Sequence, residues 1–254
     1  MPQSISPSSA PPAVAIRDAR RVFPNGVAAI EHITLDVPAG QFLAILGPSG
    51  CGKSTLLRAI AGLDQLSSGT IHITAPCDLA YVFQDPHLLP WRTVLDNAAL
   101  PLELRGMSRQ DRRDRAAAIL DHVGLGDAMH RYPAQLSGGM RMRVSLARAL
   151  VTQPRLLLMD EPFAALDAIT RQRLDEMLRR IWRERDMTVI FVTHAIGEAT
   201  YLAERAVVLS RRPARVLLDT PIDLPADRPD TLRADPAFAE QTRALHAALA
   251  NEVE

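Results

Sequence analysis

The stretch Gly47-Pro48-Ser49-Gly50-Cys51-Gly52-Lys53-Ser54-Thr55 constrains the fold more than any other part of the chain. It follows an apolar run, Phe42-Leu43-Ala44-Ile45-Leu46, that reads as a buried strand, and it opens a helix-like run over 53–61. A strand, a G-x-x-x-x-G-K-S/T loop and a helix in that order make a P-loop. Its glycines let the backbone curl, so that successive N–H groups point inward as a nest for phosphate oxygens. The helix behind adds the positive end of its dipole. Lys53 is expected to reach the β- and γ-phosphates of a nucleotide, and the Ser54 hydroxyl to hold Mg²⁺.

At 254 residues the chain is expected to form one large domain or a core with a sub-domain. Basic and acidic residues balance at 29 each, so nothing global argues for nucleic acid as a partner. The arginines are spread across Asp-rich helices, which suggests solvated helical faces with i,i+4 pairs. No uninterrupted apolar run approaches the ~20 residues needed to cross a bilayer. Residues 1–13 read as a disordered Ser/Pro-rich lead rather than a signal peptide. The two cysteines, Cys51 and Cys77, fit a reducing compartment and offer neither a metal site nor a disulfide framework. A cytoplasmic setting follows, with Cys51 as a small tolerated side chain inside the loop.

Strands are expected at 14–19 and 32–37 around a turn at Pro24-Asn25-Gly26, then at 70–74 and 79–83. Strand and helix alternate in this half, which indicates an α/β domain. Between Asp85 and Gln135 the strand signal stops, and helices over 96–104 and 109–123 read as an insertion between two β-containing halves. Helices at 139–151, 168–185 and 196–203 then alternate with strands at 155–159 and 188–192. A closing hairpin at 206–209 and 215–218 leads into a Pro-punctuated tail with a helix near 236–250.

Three of these strands end in chemically able residues. Leu156-Leu157-Leu158-Met159 delivers Asp160 and Glu161, and open α/β sheets bind ligands at such carboxyl ends. Asp160 is expected to hold Mg²⁺ through water, and Glu161 to face the γ-phosphate and polarise the attacking water. Gln84 and His194 close two other strands. Together they suit in-line attack on a γ-phosphate, with Gln84 on Mg²⁺ and water and His194 on the phosphate. Leu136-Ser137-Gly138-Gly139-Met140 opens a helix of its own, a second anion-binding helix end. One γ-phosphate does not need two such cradles within a subunit, so this one is expected to serve the nucleotide of a second copy.

With all of these in order, the chain from about Val14 to Leu218 resembles the ATP-binding subunits of ABC transporters. The loop at Gly47 matches Walker A, Gln84 the Q-loop, and Leu136–Met140 the signature. Leu156–Pro162 matches Walker B, Ala165-Leu166-Asp167 the D-loop, and His194 the switch histidine. The resemblance implies a P-loop NTPase (RecA-like) core over 14–220, with an N-terminal antiparallel β subdomain and an inserted helical subdomain at about 85–150; residues 221–254 form a tail. It implies ATP and Mg²⁺ as ligands and a head-to-tail homodimer with each ATP held between one P-loop and the other copy's Ser137–Gly139. Permease subunits, a periplasmic or extracellular solute-binding protein, and a peripheral place on the cytoplasmic side of the membrane are also implied. Phe23 matches the aromatic that stacks on adenine.

Met140 departs from the usual Gln and cannot hydrogen-bond through its side chain, yet the Ser and Gly donors remain, so hydrolysis is expected to survive. The Met, the segments Phe83–Trp91 and Met159–Asp167, Thr193–Ala199 and Ser210–Pro213 are similar to the nitrate/sulfonate/taurine import branch. Leu88-Leu89-Pro90-Trp91 either packs the insertion or lines a groove for a membrane subunit's coupling helix. A soluble ABC ATPase of DNA repair or translation, and an ATP-dependent regulatory clamp, are the alternatives. The first usually carries a long coiled coil or two cassettes, and the second a degenerate Glu or His.

Overall fold

Side chains that alternate along the central strands divide the interior into two layers. The computed structural model describes residues 11–74 and 78–250. Its strands are β1 (Val14–Val22), β2 (Ala28–Val37), β3 (Phe42–Leu46), β4 (Ser68–Ile73), β5 (Leu79–Val82), β6 (Leu156–Asp160), β7 (Thr188–Thr193), β8 (Arg205–Leu209) and β9 (Val216–Pro221). Its helices are α1 (Lys53–Ile60), α2 (Val94–Leu104), α3 (Arg109–His122), α4 (Gly138–Leu150), α5 (Ala168–Glu184), α6 (Ile196–Leu202) and α7 (Pro236–Ala250).

Among the described residues, β2, β1 and β4 form an antiparallel sheet, and the remaining strands form a second sheet in the order β5-β6-β7-β3-β8-β9. The strands from β5 to β8 across that sheet are parallel, and β9 closes it antiparallel to β8. Phe42, Ala44 and Leu46 of β3 face one core layer with Leu157, Met159, Phe191 and the helices α2 to α7. Leu43 and Ile45 face the other, with Leu158, Ile190, Val192, helix α1 and the β1–β2 pair. A strand covered on both faces needs apolar side chains at odd and even positions alike. That is why β3 and β7 are buried at every residue while β9 alternates.

The β1–β2 pair runs further than the sequence pattern suggests, reaching the pair Val22↔Ala28. Irregular register between Ile16 and Ala19 breaks the alternation there. Asp18 and His32 both take left-handed backbone at this point, and their side chains meet at 2.6 Å.

Between β5 and β6 the described chain contains helices and no strand. Thr93, Ser108 and Ser137 cap α2, α3 and α4, each accepting from the N–H three residues on. Such a cap contributes about 1 kcal/mol. The Thr93 cap starts α2 two residues before the expected position.

The arginines depart from the expectation of local i,i+4 pairs. They bridge elements instead: Arg17 to Asp36, Arg92 to Glu103, Arg113 to Asp96, Arg205 to Asp219 and Arg215 to Glu31. A chain folded into short elements brings distant carboxylates within reach of a long guanidinium arm, and these win over neighbours on one helix.

The tail packs into the fold. Phe238 and Leu245 of α7 join the helical core layer. The buried Arg228 donates to the carbonyls of Thr200, Tyr201 and Ala203, and the Tyr201 hydroxyl donates to the Arg228 carbonyl. Most of the expected lead at 1–13, and Cys77, lie outside the described residues. At the described edge of that lead, the carbonyls of Pro12 and Ala13 accept from Thr74.

Candidate active site

Four parallel strands end on one edge of the larger sheet. Val82 of β5 pairs with Met159, Asp160 of β6 with Val192, and Thr193 of β7 with Leu46 of β3. Gln84, Asp160 and Glu161, His194 and the loop from Gly47 therefore leave the sheet side by side, at its carboxyl edge.

The loop turns into α1 at Gly52, whose φ of 127° suits only glycine, and a Cβ there would fall 2.6 Å from the Ala29 carbonyl oxygen. Lys53, the first residue of α1, is only 3% exposed. Its Nζ donates to the carbonyls of Gly47 at 2.8 Å and Pro48 at 3.0 Å and lies 3.3 Å from Glu161 Oε1. Two carbonyls accepting hydrogen bonds and one carboxylate in an ion pair thus surround the ammonium. Lys53 is the sole lysine in the chain. A compact ammonium satisfies this crowded three-way site, whereas the planar fork of Arg would not. Cys51 is buried beneath the loop, and burial pushes its thiol up, as suits an inert packed side chain. Arg212 from the β8–β9 connection donates to the Gly50 carbonyl at 2.7 Å. In the sequence Arg212 stands out only as part of the Ser210–Pro213 segment; its hold on the loop depends on a partner 162 positions away.

Ser54 Oγ donates to Asp160 Oδ1 at 2.7 Å, joining the P-loop helix to the end of β6. The other oxygen, Oδ2, accepts from the Tyr81 hydroxyl at 3.1 Å. Burial and the Asp160 charge push the Tyr81 phenol up, so it stays a donor. Tyr81 also escaped the sequence reading; its signal was a polar-tipped aromatic one strand away from the acid pair. A hydroxyl and a carboxylate are hard oxygen donors, and among the described residues no group of three or more His, Cys, Asp or Glu forms a metal cage. This set fits Mg²⁺, which binds few protein oxygens and completes its shell with water and phosphate.

Glu161 takes left-handed backbone, with φ of 43°. For a residue with a Cβ that costs about 1–2 kcal/mol, and the site holds it there. Its N–H donates to the Val192 carbonyl at 2.9 Å, pinning the turn to β7. The turn sends the carboxylate between two cationic or donor groups: Oε2 lies 2.8 Å from His194 Nδ1, and Oε1 faces Lys53.

Ser137, Gly138 and Gly139 sit at the start of α4 beside the start of α5. A Cβ on Gly139 would fall 2.5 Å from Thr170 Cγ2, and one on Gly138 would touch Leu166. Glycine at 139 therefore allows the close approach of α4 to Thr170 at the start of α5. Ser137 Oγ is engaged in accepting from the Met140 N–H at 3.3 Å, while the Met140 side chain packs on the helical core layer. Asp167 caps α5 by accepting from the Thr170 N–H, which holds its carboxyl below the usual range. Gln84 is exposed at the mouth of the edge. Phe23 is half-buried against the β1–β2 core layer, with the Arg21 guanidinium 5.0 Å from its ring centre.

The cluster Leu88–Trp91 divides. Leu88 packs against the helical core layer, whereas Trp91 is 72% exposed. The buried Asn97 shapes this connection: it accepts from the Leu89 N–H and donates to the carbonyls of Leu89, Arg92 and Thr93. Arg148 adds bonds to the Pro86 and His87 carbonyls.

A family model described as ABC transporter matches residues 30–164. An aliphatic sulfonates import ATP-binding protein of Mycobacterium sp. (strain MCS) is 47% identical over 93% of this chain and 93% of its own. A taurine import ATP-binding protein of Rhizobium johnstonii is 43% identical, covering 88% of this chain and 89% of the relative. A nitrate import ATP-binding protein of Synechocystis sp. is 44% identical, covering 84% and 83%. Among solved structures, a dimeric ATP-binding cassette in a post-hydrolysis state bound to ADP and Pi superposes with a TM-score of 0.75 at 31% identity, covering 83% of this chain and 99% of that one.

Proposed function

This chain belongs to the ABC transporter family, and from that membership we propose that it is the ATP-hydrolysing subunit of an importer. The observation that carries the reading is the Glu161 carboxylate held between His194 and Lys53 at the end of β6, beside the P-loop.

Lys53 holds the β- and γ-phosphates of ATP, exchanging its bonds to the loop carbonyls for phosphate oxygens, with the loop N–H groups from Gly47 to Thr55 around it. Ser54 and Gln84 would hold Mg²⁺, with Asp160 holding it through water; when bound, the ion would neutralise charge on the β- and γ-phosphates. Glu161 orients the attacking water and takes its proton. His194 fixes the carboxylate through Nδ1 and stands next to the γ-phosphate. Phe23 offers its ring to adenine.

Ser137, Gly138 and Gly139 act on the ATP of a second copy, and Asp167 meets that copy at the same interface. The dimeric cassette with ADP and Pi supports this assembly. ATP closes the homodimer, and hydrolysis reopens it. The exposed Trp91 and the helical insertion receive separate permease subunits, which work with an extracellular or periplasmic solute-binding protein. No described helix is long and apolar enough to cross a membrane; in this reading the chain sits against the permease on the cytoplasmic side because an importer's ATPase meets ATP there. The names of the relatives point to a small oxyanion such as a sulfonate, taurine or nitrate as the cargo.

Two measurements test this reading. The purified chain should release phosphate from MgATP. Vesicles holding the chain with its permease and binding protein should take up one of these anions only when ATP is on the chain's side. Absence of phosphate release under both conditions rejects the ATPase, and uptake of none of the three anions rejects the cargo class.

A further inference from the structure

We propose that Glu198 and Arg171 are positioning residues that tie the Leu166–Asp167 turn to the His194 loop, so that the His194–Glu161 pair is set by the conformation of that turn. This inference rests on the reading of Glu161 and His194 as the hydrolytic pair.

The connection runs through hydrogen bonds at both ends and, in the middle, an ion pair between Arg171 and Glu198 whose facing atoms make no hydrogen bond. Arg171 Nη2 donates to the Leu166 carbonyl at 2.8 Å, and its Nε lies 3.3 Å from Glu198 Oε1. The second oxygen of Glu198 accepts from Thr193 Oγ1, and that hydroxyl oxygen in turn accepts from the Ala195 N–H at 3.0 Å. Both residues flanking His194 are thus bound to one hydroxyl, and the hydroxyl is oriented by one carboxylate. His194 itself reaches Glu161 at 2.8 Å.

Glu198 is 5% exposed, although it stands in the first turn of α6 where a carboxylate would ordinarily face water. It turns inward and spends its two oxygens on the two sides of the relay. The other buried carboxylate nearby, Asp175 on α5, has its own cation in Arg233 at 2.8 Å, which leaves Arg171 to Glu198. Guanidinium geometry is planar and stiff, so a shift of the Leu166 carbonyl moves the Arg171 fork as a unit and with it the Glu198 carboxylate. Ile169, exposed at the start of α5, marks this turn as a surface where a second copy can press. A local displacement there reaches the hydrolytic pair without passing through bound nucleotide.

The test uses the full chain with MgATP, reading kcat, KM and the affinity for a fluorescent ATP analogue. Glu198→Gln keeps the shape and drops the charge; Arg171→Met drops the fork. Each should lower kcat about tenfold with KM and nucleotide affinity unchanged. The double variant should be no slower than the slower single, because both cut one relay. Thr193→Val should show the same loss, and Thr193→Ser should restore it. Full kcat in these variants, losses that multiply in the double, or an effect confined to KM overturns the proposal. His194→Ala in the same assay separates the two levels: if it hydrolyses at the parental rate, the hydrolytic reading fails rather than the relay. Should Glu198→Gln not fold, the Thr193 pair decides the question in the same way.

Discussion

His194 Nδ1 stands 2.8 Å from Glu161 Oε2, nearer than Lys53 Nζ at 3.3 Å from the other oxygen of the same carboxylate. Neither oxygen of Glu161 is free to rotate away, although the residue sits in a backbone conformation that few side chains adopt. Two adjacent strands and the P-loop helix therefore converge on a single carboxylate, and the predictions for turnover follow from that convergence.

Glu161→Gln removes the base but keeps a side chain of the same size beside His194. Phosphate release should fall at least about 10²-fold, while ATP still drives dimerisation seen by light scattering. Turnover at the parental rate would reject the assignment of the base.

Lys53→Ala should abolish nucleotide affinity or turnover, measured with a fluorescent ATP analogue and by phosphate release. The substitution also leaves the Gly47 and Pro48 carbonyls without their donor, at a cost of about 1–3 kcal/mol in stability. Because Lys53 is the sole lysine, an amine-reactive reagent should modify only Lys53 and the N-terminal amine. MgATP should protect the first and not the second, as read by mass spectrometry. Equal labelling with and without MgATP would argue against phosphate contact at Lys53.

Ser137→Arg places a long cation at an exposed helix start and removes the α4 cap, at a cost of about 1 kcal/mol in stability. It should block ATP-induced dimerisation and lower turnover about 10²-fold or more by steric and charge conflict. Undisturbed dimerisation in light scattering would argue against the shared site.

Asp175 predicts a pH slope in stability. Burial first, then the charge of Glu198, pushes its carboxyl from 3.8 up to about 7, against the pull of Arg233. Between those values the folded chain keeps a proton that the unfolded chain has released, so stability falls as pH rises through the window and levels off above it. Burial moves Glu198 in the same direction and adds to the slope. The thermal midpoint should drop from pH 5 to pH 8, by roughly 2–4 °C per kcal/mol for a chain of this size. Asp175→Asn should flatten that drop, and an equally steep variant would remove Asp175 as its source.

Much of the framework could be read along the chain because its causes are local. The run 42–46 matches β3 residue for residue, and the closing helix begins at Pro236 as expected. The ends of β1 and β2 were not legible, because polar residues such as Glu31 and His32 interrupt the pattern where the register shifts. The site residues named from motifs were those that carry chemistry in short, ordered segments. Tyr81, Asn97 and Arg212 were not among them, since each acts on a partner that only folding brings near.

By itself the sequence determined what sits at the strand ends: a glycine-rich loop with Lys53 and Ser54, the acids Asp160 and Glu161, and His194. Turn chemistry and apolar runs act over a few residues, so they are written in order. The tertiary structure alone decided which of these groups touch. Strand register in the parallel sheet put Asp160 against Ser54, 106 positions away, and Glu161 against His194, 33 positions away. It also turned Glu198 inward, since the direction of a side chain depends on the layers packed around it and not on its neighbours in the chain.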